Sequence, residues 1–177
     1  MQVGCAIQGA EIYNNDIRNY GVDDKAVQNN GIQIGEGTGG LCYNNRIING
    51  TGTGIIVLGY GDNILFNNVI VGAGKNGIYC DKRFTPGTGF KFINNTIINP
   101  RLDGINVNAQ GLQNKVFNNL IVNPGNYDKY EADNTFKNGD YAFVNFGSST
   151  ESSNNYFEKD INKVGFIDPK SNFDLLS

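Results

Sequence analysis

The sequence predicts an all-β solenoid: one domain wound into about six coils of parallel strands, with an asparagine ladder inside. Three observations predict it. Paired asparagines return five times, in EIYNNDIRN, LCYNNRIIN, ILFNNVIVG, KFINNTIIN and KVFNNLIVN, with a more distant sixth copy in SSNNYFE. A second block, GCAIQG, GIQIGE, GIIVLG, GIYCDK and GINVNA, begins at Gly4, Gly31, Gly54, Gly77 and Gly104, in steps of 23 to 27 residues, with a weaker copy, YAFVNF, at Tyr141. Each period holds about three short β-rich runs between turn residues and no helical periodicity. Such a coil pairs only with the coils on either side, and equivalent residues then stack about 4.8 Å apart.

Each repeated element has a physical reason. One asparagine of each pair suits a bend in the left-handed conformation, which Asn tolerates better than most residues. Inward-facing amides at the pair hydrogen-bond along the stack as a ladder. The glycine before each isoleucine marks a second tight corner. Apolar columns read as core: Ile12, Cys42, Leu65, Phe92 and Val116; Ile17, Ile47, Ile70, Ile97 and Ile121; Cys5, Ile32, Ile55, Ile78 and Ile105; and Ile7, Ile34, Val57, Cys80 and Val107. All three cysteines fall in these columns and are expected to be buried thiols.

Regular coils are expected over residues 1–123, an insertion over 124–140, a last coil over 141–157 and a tail or cap over 158–177. The N-terminus MQVGCAIQGAEIYNN enters the repeat at once and does not read as a signal peptide. Residue 2 already lies in a coil with no capping helix before it. The expectation is therefore further N-terminal coils, or another molecule over the first coil.

Composition narrows the function. A net charge of −3 and a pI near 4.9 give no basic footprint for nucleic acid. No apolar run approaches the roughly 20 residues that span a bilayer as a helix. The Asn-Gly-Thr at Asn49 and the Asn-Asn-Thr at Asn94 overlap the repeat and are expected by chance in so Asn-rich a chain.

The pattern xNNxIxN…GIxV resembles the repeat of right-handed single-stranded parallel β-helix proteins of the pectate-lyase-like superfamily. The closing GFIDPKSNFDLLS resembles the end of such helices in secreted bacterial polysaccharide-processing proteins. The resemblance implies the fold, an acidic polysaccharide as partner, and a secreted or cell-surface location. It does not fix an activity, because this fold carries lyases, hydrolases, epimerases, tailspikes and adhesins. The chain has no histidine, hence neither the Asp-His signatures of pectate lyases and uronan epimerases nor the Gly-His-Gly of polygalacturonases. Asp23, Asp24 and Lys25 lie in a one-off insertion between coils.

Strand parity turns one set of residues outward after each Gly-Ile: Ala6, Gln33, Ile56, Tyr79 and Asn106, then Gln8, Gly35, Leu58, Asp81 and Asn108. The loops that follow vary most and carry Glu36, Tyr60, Asp62, Asp81, Lys82, Arg83 and Gln110 toward one side. Constant coils with variable loops on one face are how solenoids make binding surfaces.

β-Elimination on an acidic polysaccharide needs a base, a cation for the uronate carboxylate and a proton donor for the leaving oxygen. Tyr79, Asp81, Lys82 and Arg83 offer these groups as catalytic candidates. Glu36, Tyr60, Asp62, Asn106 and Asn108 stand as substrate-binding residues, and Glu36 and Asp62 are also candidate ligands for Ca²⁺, which takes several oxygens at 2.3–2.6 Å. Hydrolysis would instead need two carboxylates about 5–9.5 Å apart, for which Asp62 and Asp81 on adjacent coils are the pair. Against all of these stands the plain reading of Asp81-Lys82-Arg83 as a solvated charged loop with weak ion pairs.

A further outward column, Tyr13, Tyr43, Phe66, Ile93 and Phe117, directly precedes the asparagine pairs. Segment 124–140 or the C-terminal tail is expected to cover it, with a partner domain, another subunit or a sugar as alternatives. A non-catalytic structural or adhesive solenoid assembling through this column is the competing function.

Overall fold

The computed structural model describes residues 1–4, 8–23, 28–58, 62–83, 87–125, 144–146, 150–168 and 172–175. They form three parallel six-stranded sheets. Sheet 1 stacks Gln2–Val3, Ile32–Ile34, Ile55–Leu58, Ile78–Asp81, Ile105–Asn108 and Val144–Phe146. Sheet 2 stacks Ala10–Tyr13, Gly40–Tyr43, Ile64–Phe66, Lys91–Ile93, Asn114–Phe117 and Thr150–Ser153. Sheet 3 stacks Asp16–Tyr20, Arg46–Gly50, Val69–Val71, Thr96–Ile98, Leu120–Val122 and Tyr156–Glu158. The chain visits the sheets in turn, one strand of each per coil, which is a parallel β-solenoid. Its regular part is about four turns, those starting at Ile32, Ile55, Ile78 and Ile105, fewer than the six coils the repeat count suggests. The outermost rungs join them across the longer stretches 21–31 and 123–143.

The asparagine pairs do two jobs. The first member, at Asn14, Asn44, Asn67, Asn94, Asn118 and Asn154, has φ between 53° and 56° and turns the chain from sheet 2 into sheet 3. The second member points inward. Asn95 shows the pattern: its Nδ2 donates to the Leu65 carbonyl at 2.9 Å and to Asn119 Oδ1 at 3.0 Å. Its Oδ1 accepts from the backbone N–H and Nδ2 of Asn68 at 3.2 and 3.0 Å. All four bonding positions of a buried amide are filled, and three successive coils are tied together. The same bonds run from Asn15 through Asn45, Asn68 and Asn119 to Asn155.

The core lies inside the three sheets, with Cys42, Ile47, Leu65, Ile70, Cys80, Phe92, Ile97 and Ile105 wholly buried. Ile17, in the first coil, is only half-buried. Cys5 and Ile7 lie outside the described residues.

Two expectations change. The glycines before isoleucine are not left-handed corners: Gly31, Gly54 and Gly77 have ordinary φ but no room. A Cβ on Gly77 would stand 2.4 Å from Ile97 Cγ2 and 2.6 Å from the Gly104 carbonyl oxygen. The isoleucine of the third strand fills the space where a side chain would go.

The second change concerns the tail. Among the described residues it covers sheet 3, not the aromatic column of sheet 2. Phe166, with Ile161 and Val164, packs on an outward column of Ile48, Val71, Ile98 and Val122 to make a second apolar cluster. Most of segment 124–140 lies outside the described residues.

Candidate functional site

Sheet 1 brings the candidate residues of three coils into register. Tyr79 sits beside Ile56 and Asn106, and Asp81 beside Leu58 and Asn108. Outward parity does not leave every side chain open, however: Gln33 is 8% exposed and Asp81 6%. Gln33 accepts from Asn30 Nδ2 at 3.1 Å.

Asp81 is held by its own loop. Arg83 Nε donates to Oδ1 and Oδ2 at 3.0 and 2.8 Å, and Nη2 donates to Oδ2 at 2.5 Å. The Arg83 backbone N–H adds a bond at 3.2 Å, and the Tyr79 hydroxyl donates at 3.4 Å. The carboxylate beside it raises the Arg83 pKa above its ordinary value. Because the guanidinium side chain remains 54% exposed, the pair stiffens the loop more than it stabilises the fold.

The network continues outward. Asn108, exposed, donates Nδ2 to the Tyr79 hydroxyl at 3.2 Å. Lys82, also exposed, donates Nζ to the Gln110 carbonyl of the next coil. Asn106 donates to Asp103 Oδ2 at 2.7 Å. Tyr79, Asp81, Lys82, Arg83, Asn106 and Asn108 thus share one face of two adjacent coils.

Other candidates lie elsewhere. Asp62 Oδ1 accepts from the Thr88 backbone N–H at 2.8 Å and hydroxyl at 2.7 Å, and these donors hold its carboxyl below the usual range. It opens on a separate cleft of about 190 Å³ lined by Gln8, Gly9, Gly39 and Gly40. Glu36 is exposed at the turn after Ile34, with a φ of 54°, and its carboxylate lies against Gly4. Tyr60 lies outside the described residues. Among the described residues, no three Cys, Asp or Glu side chains converge on a possible metal position, so Glu36, Asp62 and Asp81 do not form a calcium cage.

Cys42 and Cys80 are buried and free. Burial pushes the Cys42 thiol up to about 12 and the Cys80 thiol well above its ordinary value, so neither supplies a thiolate near neutral pH.

Sequence reasoning missed Asp103, which is buried and positions Asn106. The signal was a polar column before each glycine: Asn30, Thr53, Asn76 and Asp103. Asn30 Oδ1 accepts from the Thr53 N–H, and Asn76 Oδ1 from the Asp103 N–H, both at 3.1 Å.

The outer face of sheet 2 is a different surface. The Tyr13 and Tyr43 rings stack at 5.0 Å, and Tyr43 and Phe66 at 4.8 Å, each pair within 6° of parallel. In register beside them run Glu11, Leu41, Ile64, Lys91, Lys115 and Glu151.

Residues 3–161 match the family described as right handed beta helix region. The chain belongs to that family. No curated protein and no solved structure matches it. For this right-handed β-helix the family fixes the winding of the coils and leaves the chemistry to the residues on their outer faces.

Proposed function

We propose that this β-helix recognises an acidic polysaccharide along the outer face of sheet 1, through Tyr79, Lys82, Asn106 and Asn108, as part of a secreted or cell-surface protein. The observation that carries the reading is the hydrogen-bonded network running from Arg83 through Asp81 and Tyr79 to Asn108. It fixes a phenol and amides on consecutive rungs spaced about 4.8 Å apart. A polysaccharide is itself a repeat, and a rigid row of polar groups meets it without the ordering cost a loop would pay. Lys82, exposed at the edge of this row, supplies the cation for a uronate carboxylate.

Recognition suits the geometry better than cleavage. Asp81 is buried with both carboxylate oxygens occupied by Arg83 and Tyr79, so neither is placed within reach of a substrate proton. Arg83 is engaged by Asp81 and does not offer an uncompensated charge. The test is a glycan array followed by calorimetry, with Tyr79→Ala and Lys82→Ala as variants and a uronate-lyase assay alongside. Binding of a uronate-containing glycan that falls at least about tenfold in each variant, and weakens with salt for the native chain, is the expected result. Turnover lost in the same variants would extend the reading to a lyase. A folded sample that binds no acidic glycan would overturn it.

A further inference from the structure

The outer face of sheet 2 invites sugar stacking at first sight, but its geometry opposes that. Tyr13, Tyr43 and Phe66 stack face to face along the solenoid. The flat ring surfaces that would meet a sugar are turned toward each other, and only edges point outward. A row of aromatic edges flanked by aliphatic side chains suits packing against another apolar face instead.

The distribution of charge on this face identifies that second face. Reading along the sheet from its first strand, the column beside the rings runs Glu11, Leu41, Ile64, Lys91 and Lys115. It is acidic on the first rung, aliphatic on the next two and basic on the fourth and fifth, and Glu151 returns an acid on the sixth. The ring column runs Tyr13, Tyr43, Phe66, Ile93 and Phe117 in the same order. Over the first five rungs a half-turn about the strand Ile64–Phe66 sets Glu11 against Lys115, Leu41 against the aliphatic stem of Lys91 and each ring against an apolar side chain, with Glu151 left beyond the overlap.

We propose that two copies of this chain associate face to face through sheet 2, with solenoid axes antiparallel and a two-fold axis along the Ile64–Phe66 strand. Glu11 of each copy then faces Lys115 of the other, Tyr13 faces Phe117, Tyr43 faces Ile93, and Phe66 meets Phe66 at the centre. The pairing is isologous, as a two-fold contact must be. Tyr13, 48% exposed, and the half-buried rings behind it lose their contact with water. The internal partners of the two charges do not forbid the exchange. Lys115 and Glu151 stand 3.9 Å apart with side chains 42% and 66% exposed, Lys115 also lies over the Phe117 ring at 5.8 Å, and Glu11 accepts from the Tyr43 hydroxyl at 3.1 Å.

Size sets the expected strength. Five rungs at about 4.8 Å, each about three residues wide, make a patch well below the roughly 800 Å² per partner of a standard interface. The dimer is therefore expected to be weak, with a Kd of about 10 µM to 1 mM.

Sedimentation equilibrium of the full chain over that concentration range tests the proposal. Expected are a monomer–dimer equilibrium and a shift of at least about tenfold toward monomer for Phe66→Glu, with the circular dichroism spectrum checked for retained fold. Because Phe66→Glu risks disturbing the sheet, the decisive variants are the exposed charges. Glu11→Lys and Lys115→Glu should each weaken association, and the double variant should restore it, since only the antiparallel pairing brings these two residues together. A chain that stays monomeric at about 1 mM overturns the proposal. So does a dimer indifferent to Phe66→Glu, or a double variant no better than the singles.

Discussion

The asparagine ladder and the Tyr79–Asp81–Arg83 network are both chains of hydrogen bonds, and they differ in almost every other respect. The ladder is buried, recurs in every regular coil and ties rung to rung. Among the described residues the network occurs once, borders on solvent and, apart from the bonds with Asn108 and Gln110 of the next coil, lies within a single coil and its loop. A group repeated at every period is there because every coil must be built; a group that breaks the period is not required by the fold. The contrast separates the residues that make this solenoid from those that give it something to do.

Breaking the ladder should have the largest effect. Asn95→Leu removes four buried bonds and strands the Leu65 carbonyl and the Asn68 amide, for an expected loss of about 4 kcal/mol in urea unfolding. A loss under about 1 kcal/mol would mean that the ladder merely accompanies the fold. Next is Gly77→Ala, whose methyl collides with Ile97 and the Gly104 carbonyl; about 2–3 kcal/mol is expected. Adding Ile97→Val, which trims the crowded side chain, should recover part of it. Asn67→Ala places an ordinary residue at φ 54° and should cost about 1 kcal/mol, whereas Asn67→Gly should be close to neutral.

On the network side, Asp81→Asn should change stability by less than about 1 kcal/mol, because its Arg83 partner is half exposed. The same variant should weaken glycan binding by loosening Tyr79, and equal losses in both assays would erase the contrast. The smallest effect concerns Asp62. Its carboxyl is held low by Thr88, so its contribution to stability is present above the unfolded pKa of about 3.9. It disappears as pH falls through the lower folded value. Thr88→Val should therefore be slightly destabilised at neutral pH and indistinguishable from the native chain once Asp62 is protonated. A difference that persists in acid would assign the effect to the hydroxyl's packing.

What was legible in the sequence follows the same division. A left-handed turn at one asparagine of each pair, an amide ladder at the pair and the inward columns were readable because each is repeated, and repetition turns a weak local preference into a pattern; which asparagine does which was not. The glycines were located correctly but for the wrong reason, because φ and lack of space both exclude a side chain, and only the position of Ile97 separates them. A covering tail was expected over the aromatic column of sheet 2, and its docking on sheet 3 escaped notice although the signal was present. Ile47-Ile48, Ile70-Val71, Ile97-Ile98 and Ile121-Val122 are paired apolar residues, and a strand that fails to alternate has both faces covered. The site was least legible. That Asp81 lies buried under Arg83 depends on one side-chain conformation, which has no counterpart among the described residues of the other coils to betray it.

The tail over sheet 3 has a consequence for how the molecule comes apart. A solenoid held only by nearest-neighbour contacts is a linear array, and its outer rungs can fray one at a time. Ile161, Val164 and Phe166 join a cluster that includes Ile48, Val71, Ile98 and Val122, one residue from each of four successive coils. To peel away any of these coils the chain must also release what binds the other three. The strap therefore converts a stack of separable layers into a unit whose coils stand or fall together, and it lends the outer turns a cooperativity that their own contacts do not provide.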